Sequence, residues 1–277
     1  MSTPFDPTAA LAYGALVQVA YDMYGADSAD LTPPVPAEFP AGYRLVSYLN
    51  ATDDVEGDCK TRFYGFLALS TAAPAELVVA IRGTDCDMEW IIDAEFWPVH
   101  FPPVPGSGRV EDGFYSVYKT LVAVAPGGAP QDFRDAVAAQ LAGGATRCVV
   151  TGHSLGAAVA TLAALDVAVN VAGSNPTLYT FASPKVGDGD FVRLFDQKLP
   201  DSVRIFNQPD MVPKVPPLYG EVNTAQEIDS TQFPEIKHSI ACYHSLRTYL
   251  YVLDRQNPFG LSPTCVQSTP APPVAPS

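Results

Sequence analysis

Hydrophobic and polar positions change period several times along this chain of 277 residues. Glu76 to Ile81 holds an unbroken apolar run, Leu77-Val78-Val79-Ala80-Ile81, which predicts a strand buried on both faces. Thr146 to Thr151 is β-branched and apolar and predicts a second one. It runs directly into a segment where Leu155, Val159, Leu162, Leu165 and Val169 recur at helical spacing. Ser202 to Asn207 alternates like a strand and ends in the turn Gln208-Pro209-Asp210-Met211-Val212-Pro213. Asp6 to Tyr24, with Ala10, Leu11, Tyr13, Leu16, Val17, Val19 and Ala20, predicts an N-terminal helix, and an amphipathic helix follows His244. Strand signals that alternate with helical ones predict an α/β fold, with a mostly parallel central sheet flanked by helices, in one domain over residues 1–257. Residues 258–277 carry six prolines and hardly any charge, and are expected to form an extended or disordered tail.

Composition narrows the class of protein. With 47% hydrophobic and 17% charged residues the chain can bury a large core. A net charge of −14, from 16 basic and 30 acidic residues, argues against nucleic acid and anionic membrane surfaces as partners. No run of eighteen apolar residues is present, so no transmembrane segment is expected. The start, Met1-Ser2-Thr3-Pro4-Phe5-Asp6, lacks the basic and apolar regions of a signal peptide. A cytoplasmic protein is therefore expected, or a secreted one if an export signal was removed. The five cysteines, Cys59, Cys86, Cys148, Cys242 and Cys265, are odd in number and lack metal-ligand spacing. One disulfide is left open, with Cys265 as its first candidate member. No metal or organic cofactor is expected, and oligomeric state is not legible. Asn50-Ala51-Thr52 matches a glycosylation sequon by pattern only.

The candidate chemistry sits where the second strand meets its helix, in Gly152-His153-Ser154-Leu155-Gly156. A serine on a sharp strand-to-helix turn is strained and crowded by the residues two before and two after it, and glycine leaves room at both. Ser154 reads as the nucleophile of an α/β-hydrolase elbow. The helix that follows aims unpaired amides and the positive end of its dipole at an oxyanion formed beside it. A serine needs a base and an orienting acid, which in this fold follow it in the order Asp, then His. Asp210, in the turn at the end of the strand 202–207, is the natural acid, with Asp201 and Asp229 as weaker candidates. His244 is the candidate base, with His238 as its rival. His153 lies inside the elbow, and His100 precedes the serine. The backbone N–H of Leu155 is one oxyanion donor, and Arg82-Gly83-Thr84, leaving the strand 76–81, is a candidate source of the second.

Together these segments resemble the class 3 lipase family, the fungal-type triacylglycerol lipases and their bacterial and plant relatives. The resemblance is carried by Val79-Ala80-Ile81-Arg82-Gly83-Thr84, Glu89-Trp90-Ile91-Ile92-Asp93, Gly152-His153-Ser154-Leu155-Gly156, Thr180 to Asp188, Asn207 to Pro213 and His244 to Leu250. It implies Ser154, Asp210 and His244 as the triad, Thr84 and Leu155 as oxyanion donors, Asp93 as a partner of the Thr84 hydroxyl, and ester hydrolysis as the reaction. The family usually carries Val-His-x-Gly-Phe after its lid, where this chain has Val110-Glu111-Asp112-Gly113-Phe114. That departure leaves the triad intact and bears on local packing and hydrogen bonding.

Between Asp85 and Gly108 lie Met88, Trp90, Ile91, Ile92, Ala94, Phe96 and Trp97, then the proline-rich stretch Pro98 to Val104. A short helical lid over the active site reads this way, and so does a fixed wall of an acyl pocket. The function expected is a serine carboxylic-ester hydrolase, a lipase acting on acylglycerols or related fatty-acid esters, with an ester or lipid substrate met at an oil–water interface. The alternatives are a short-chain or feruloyl-type esterase and an inactive lipid-binding protein that keeps the fold.

Overall fold

The computed structural model describes residues 5–53, 59–84 and 96–267. Among these, nine strands form one sheet: β1 (Tyr43–Asp53), β2 (Lys60–Ser70), β3 (Glu76–Ile81), β6 (Val122–Val124), β7 (Pro130–Asp132), β8 (Arg147–His153), β9 (Thr177–Phe181), β10 (Val203–Asn207) and β11 (Thr224–Ile228). Their spatial order is β11-β10-β9-β8-β3-β2-β1-β6-β7. From β11 to β3 all neighbours are parallel, whereas β3, β2, β1, β6 and β7 pair antiparallel. A separate ribbon joins β4 (Pro98–His100) to β5 (Arg109–Glu111).

Alternation along the strands builds a core on each face of the sheet. Leu77, Val79 and Ile81 of β3, with Val150 of β8, pack beneath α4 (Leu155–Asn170), together with Phe114 and Val117 of α2 (Asp112–Tyr118), Val137 of α3 (Phe133–Ala142) and Phe191 of α5 (Gly189–Lys198). Val78, Ala80 and Val149 point the other way, against Leu16 and Val17 of α1 (Pro7–Ala26) and Leu250 of α7 (Leu246–Leu253). The fold is therefore the expected α/β-hydrolase architecture, with the sheet parallel from β3 to β11, between helical layers. Helix α4 is buried on nearly all sides by its alanines as well as its leucines, the mark of a central helix. Val169, expected on its apolar stripe, is instead 40% exposed, next to the exposed Asn170 in the last turn of α4.

Three features noted in the sequence take on definite structural surroundings. Glu111, standing where the family usually has histidine, is buried and caps α2, its carboxylate accepting the Gly113 and Phe114 amides at 2.9 and 2.8 Å. Beyond residue 257, Phe259 packs on the core and Cys265 is bonded to Cys242. Lys237 N–H donates to Cys265 and Gln267 N–H to Glu235, both at 2.8 Å, so backbone pairing holds the segment as far as Gln267. Asn50 of the sequon is buried within β1.

Candidate active site

The parallel register of β3 with β8 sets Ile81 beside Gly152, so the loop Arg82-Gly83-Thr84 leaves the sheet next to the elbow. Ser154 sits between β8 and α4 with φ 57° and ψ −127°, a conformation that L residues rarely adopt. The turn is closed by its own crowding. A Cβ on Gly152 would lie 2.4 Å from the Gly156 carbonyl oxygen, and one on Gly156 would lie 2.3 Å from that of Arg82. Ser154 N–H is anchored by the Phe181 carbonyl of β9 at 3.0 Å.

Ser154, His244 and Asp210 meet at the carboxyl end of the parallel strands, and all three are buried. His244 Nε2 lies 2.8 Å from Ser154 Oγ. His244 Nδ1 lies 2.9 Å from Asp210 Oδ2. A carboxylate oxygen only accepts, so Nδ1 carries a proton and Nε2 faces the serine hydroxyl. Asp210 is held by two further donors: Tyr249 Oη at 2.8 Å on Oδ2, and Val212 N–H at 3.0 Å on Oδ1. Burial and the adjacent Asp210 push the Tyr249 phenol well above its ordinary value, which keeps it a donor.

His244 ends the one-turn helix α6 (Ile240–His244), which is too short to hold itself in place. Asn207, at the end of β10, supplies the anchor. Its Nδ2 donates to the Tyr243 carbonyl and to Ser230 Oγ, both at 2.8 Å, while its Oδ1 accepts Ser230 N–H at 2.9 Å. Its backbone N–H donates to Tyr249 Oη, also at 2.9 Å. Asn207 and Tyr249 lie within segments that carry the family resemblance, but a strand-end asparagine and a helix tyrosine bear no local mark of such a role.

The other candidates lie elsewhere. His238 and Asp201 are exposed, His100 is in the β4 ribbon, and Asp229 caps a short helical turn through Thr231 N–H at 2.9 Å. Leu155 opens α4, where the first amides have no acceptor within the helix. Thr84 is half-buried directly after Gly83. Asp93, Trp90 and Ile91, and with them most of the expected lid, lie outside the described residues; Phe96 packs on the core and Trp97 is 64% exposed.

Comparison with known proteins adds an independent line. Residues 78–220 match the sequence model of the family described as lipase (class 3). The chain is 35% identical over 220 residues to phospholipase A1-II 4 of Oryza sativa subsp. japonica, an alignment covering 69% of this chain and 55% of that protein. It is 30% identical over 255 residues to phospholipase A1-IIgamma of Arabidopsis thaliana, covering 76% of this chain and 60% of that one. The chain thus spans little more than half the length of these curated relatives. Among solved structures, the Rhizomucor miehei lipase propeptide complex superposes with a TM-score of 0.64 at 24% identity, covering 96% of this chain and 84% of that chain. The lipase from Rhizopus microsporus var. chinensis gives 0.62 at 24% identity, covering 82% and 76%.

Proposed function

The chain belongs to the class 3 lipase family, and on that premise we propose that it is a serine hydrolase cleaving fatty-acyl esters of glycerol-based lipids through an acyl-enzyme. The observation that carries this reading is the hydrogen-bonded sequence from Ser154 Oγ through His244 to the buried Asp210. Ser154 Oγ attacks the ester carbonyl while His244 Nε2 takes its proton, and Asp210 keeps the imidazole in the required tautomer. The Leu155 N–H and Thr84 receive the oxyanion. His244 then protonates the leaving alcohol, and a water molecule that it activates hydrolyses the acyl-enzyme. The plant relatives are named phospholipases A1 and the fungal structures lipases. Glycerol ester cleavage is the chemistry those names share.

The test is hydrolysis of p-nitrophenyl esters of increasing chain length, emulsified triolein and phosphatidylcholine vesicles by the wild type and Ser154→Ala. Loss of at least about a thousandfold in Ser154→Ala is expected on every substrate cleaved. A fully active Ser154→Ala protein overturns the reading, and activity confined to short soluble esters would make the protein an esterase. Of the two locations left open by the sequence, we favour the exported one, which the Cys242–Cys265 disulfide supports. Alkylation of the native protein without reduction then leaves both cysteines unmodified, whereas their labelling would argue for the cytoplasm.

A further inference from the structure

We infer that Tyr21 and His153 are positioning residues whose side chains form a hydrogen-bonded relay from the oxyanion loop to the backbone of His244. The inference rests on the reading of Ser154 and His244 as nucleophile and base. Four separate parts of the chain meet in this relay. Gly83 N–H, immediately before Thr84, donates to Tyr21 Oη of α1 at 2.8 Å. Tyr21 Oη lies 2.8 Å from His153 Nδ1 in the elbow, and His153 Nε2 lies 2.8 Å from the His244 carbonyl oxygen at the end of α6.

Donor and acceptor chemistry orients every link. A carbonyl oxygen only accepts, so His153 Nε2 carries the proton. Burial, with His244 adding to it, pushes the His153 imidazole well below its ordinary value, so the ring is neutral and Nδ1 is bare. Tyr21 must then donate its hydroxyl proton to Nδ1 while its oxygen accepts from Gly83. The direction runs from Gly83 N–H through Tyr21 O–H and His153 Nε2–H to the His244 carbonyl.

Two consequences bear on catalysis. The Gly83 amide is already engaged, which leaves the next residue, Thr84, to face an oxyanion. The rings of His153 and His244 are 4.8 Å apart, so a neutral His153 spares the His244 imidazolium a like charge at close range. Gly83 itself is demanded by this approach, since a Cβ there would lie 2.5 Å from Tyr21 Oη and 2.8 Å from the His153 carbonyl oxygen. The relay therefore sets the spacing between oxyanion donor and base, a quantity on which turnover depends steeply.

The experiment compares wild type, Tyr21→Phe, His153→Gln and His153→Leu on p-nitrophenyl butyrate, with kcat, KM and thermal midpoint measured for each. Tyr21→Phe removes one oxygen and keeps the ring; kcat is expected to fall about tenfold with KM within about twofold. His153→Gln retains an N–H for the His244 carbonyl and is expected to keep about fivefold more kcat than His153→Leu. Wild-type kcat in Tyr21→Phe, a loss confined to KM, or equal kcat in the two His153 variants would each overturn the inference. If His153→Leu does not fold, Tyr21→Phe decides alone. Ser154→Ala is the control for the underlying reading: it is inactive if Ser154 is the nucleophile, whatever becomes of the relay.

Discussion

Ser154 stands in its left-handed conformation because the two glycines around it let β8 and α4 close to backbone distance. Gly156 is the tighter of the two. Its absent Cβ would fall 2.3 Å from the Arg82 carbonyl oxygen and 2.5 Å from that of Ile81, both backbone atoms of the β3 end. No flexible side chain can yield there, so Gly156→Ala must wedge the elbow away from the loop that carries Thr84. The expected cost is about 1–3 kcal/mol of stability, as for other overpacked interiors. Urea unfolding reads that cost, and turnover should fall in the protein that remains folded. A variant with wild-type midpoint and turnover would mean that the junction has slack which these distances do not allow.

At the scale of elements, His244, the proposed base, depends on a helix that cannot stand alone. Helix α6 spans five residues, and the Cys242–Cys265 disulfide ties its middle to the C-terminal segment, two positions before His244. A cross-link over a sequence separation of 23 residues constrains the unfolded chain. Its loss should cost about 3 kcal/mol. Cys265→Ser, or reduction under native conditions, is thus expected to lower the unfolding free energy by that amount, read as a fall in the denaturant midpoint. Turnover should decline below the temperature of global melting as α6 frays. An unchanged midpoint after verified reduction would show that the segment is held by its backbone pairing alone.

Over the whole molecule, buried tyrosines are tied to buried aspartates: Tyr64 to Asp53, Tyr118 to Asp166 and Tyr249 to Asp210. Burial, reinforced by each carboxylate, pushes all three phenols well above their ordinary value. The folded chain then keeps protons that the unfolded chain releases above about pH 10, so stability present below that pH is lost as pH rises further. Each such tyrosine contributes a slope of about 1.4 kcal/mol per pH unit in that window. Urea unfolding between about pH 8 and 11 tests this, and a flat profile would contradict it. The sequence by itself determined what is local: the strands β3 and β8 from their apolar runs, β10 from its alternation, the elbow from Gly152, Ser154 and Gly156, and the chain order of Ser154, Asp210 and His244. These are legible because strand and helix periods, and the room a glycine leaves, act over a few neighbouring residues. Only the tertiary structure decided which histidine reaches the serine, that Asn207 anchors the turn carrying His244 and Tyr249 binds Asp210, that Tyr21 meets His153 from near the start of the chain, and that Cys265 pairs with Cys242. Those contacts join residues distant in sequence, and they exist because parallel strands bring their carboxyl ends to one edge of the sheet, an arrangement that no local propensity encodes.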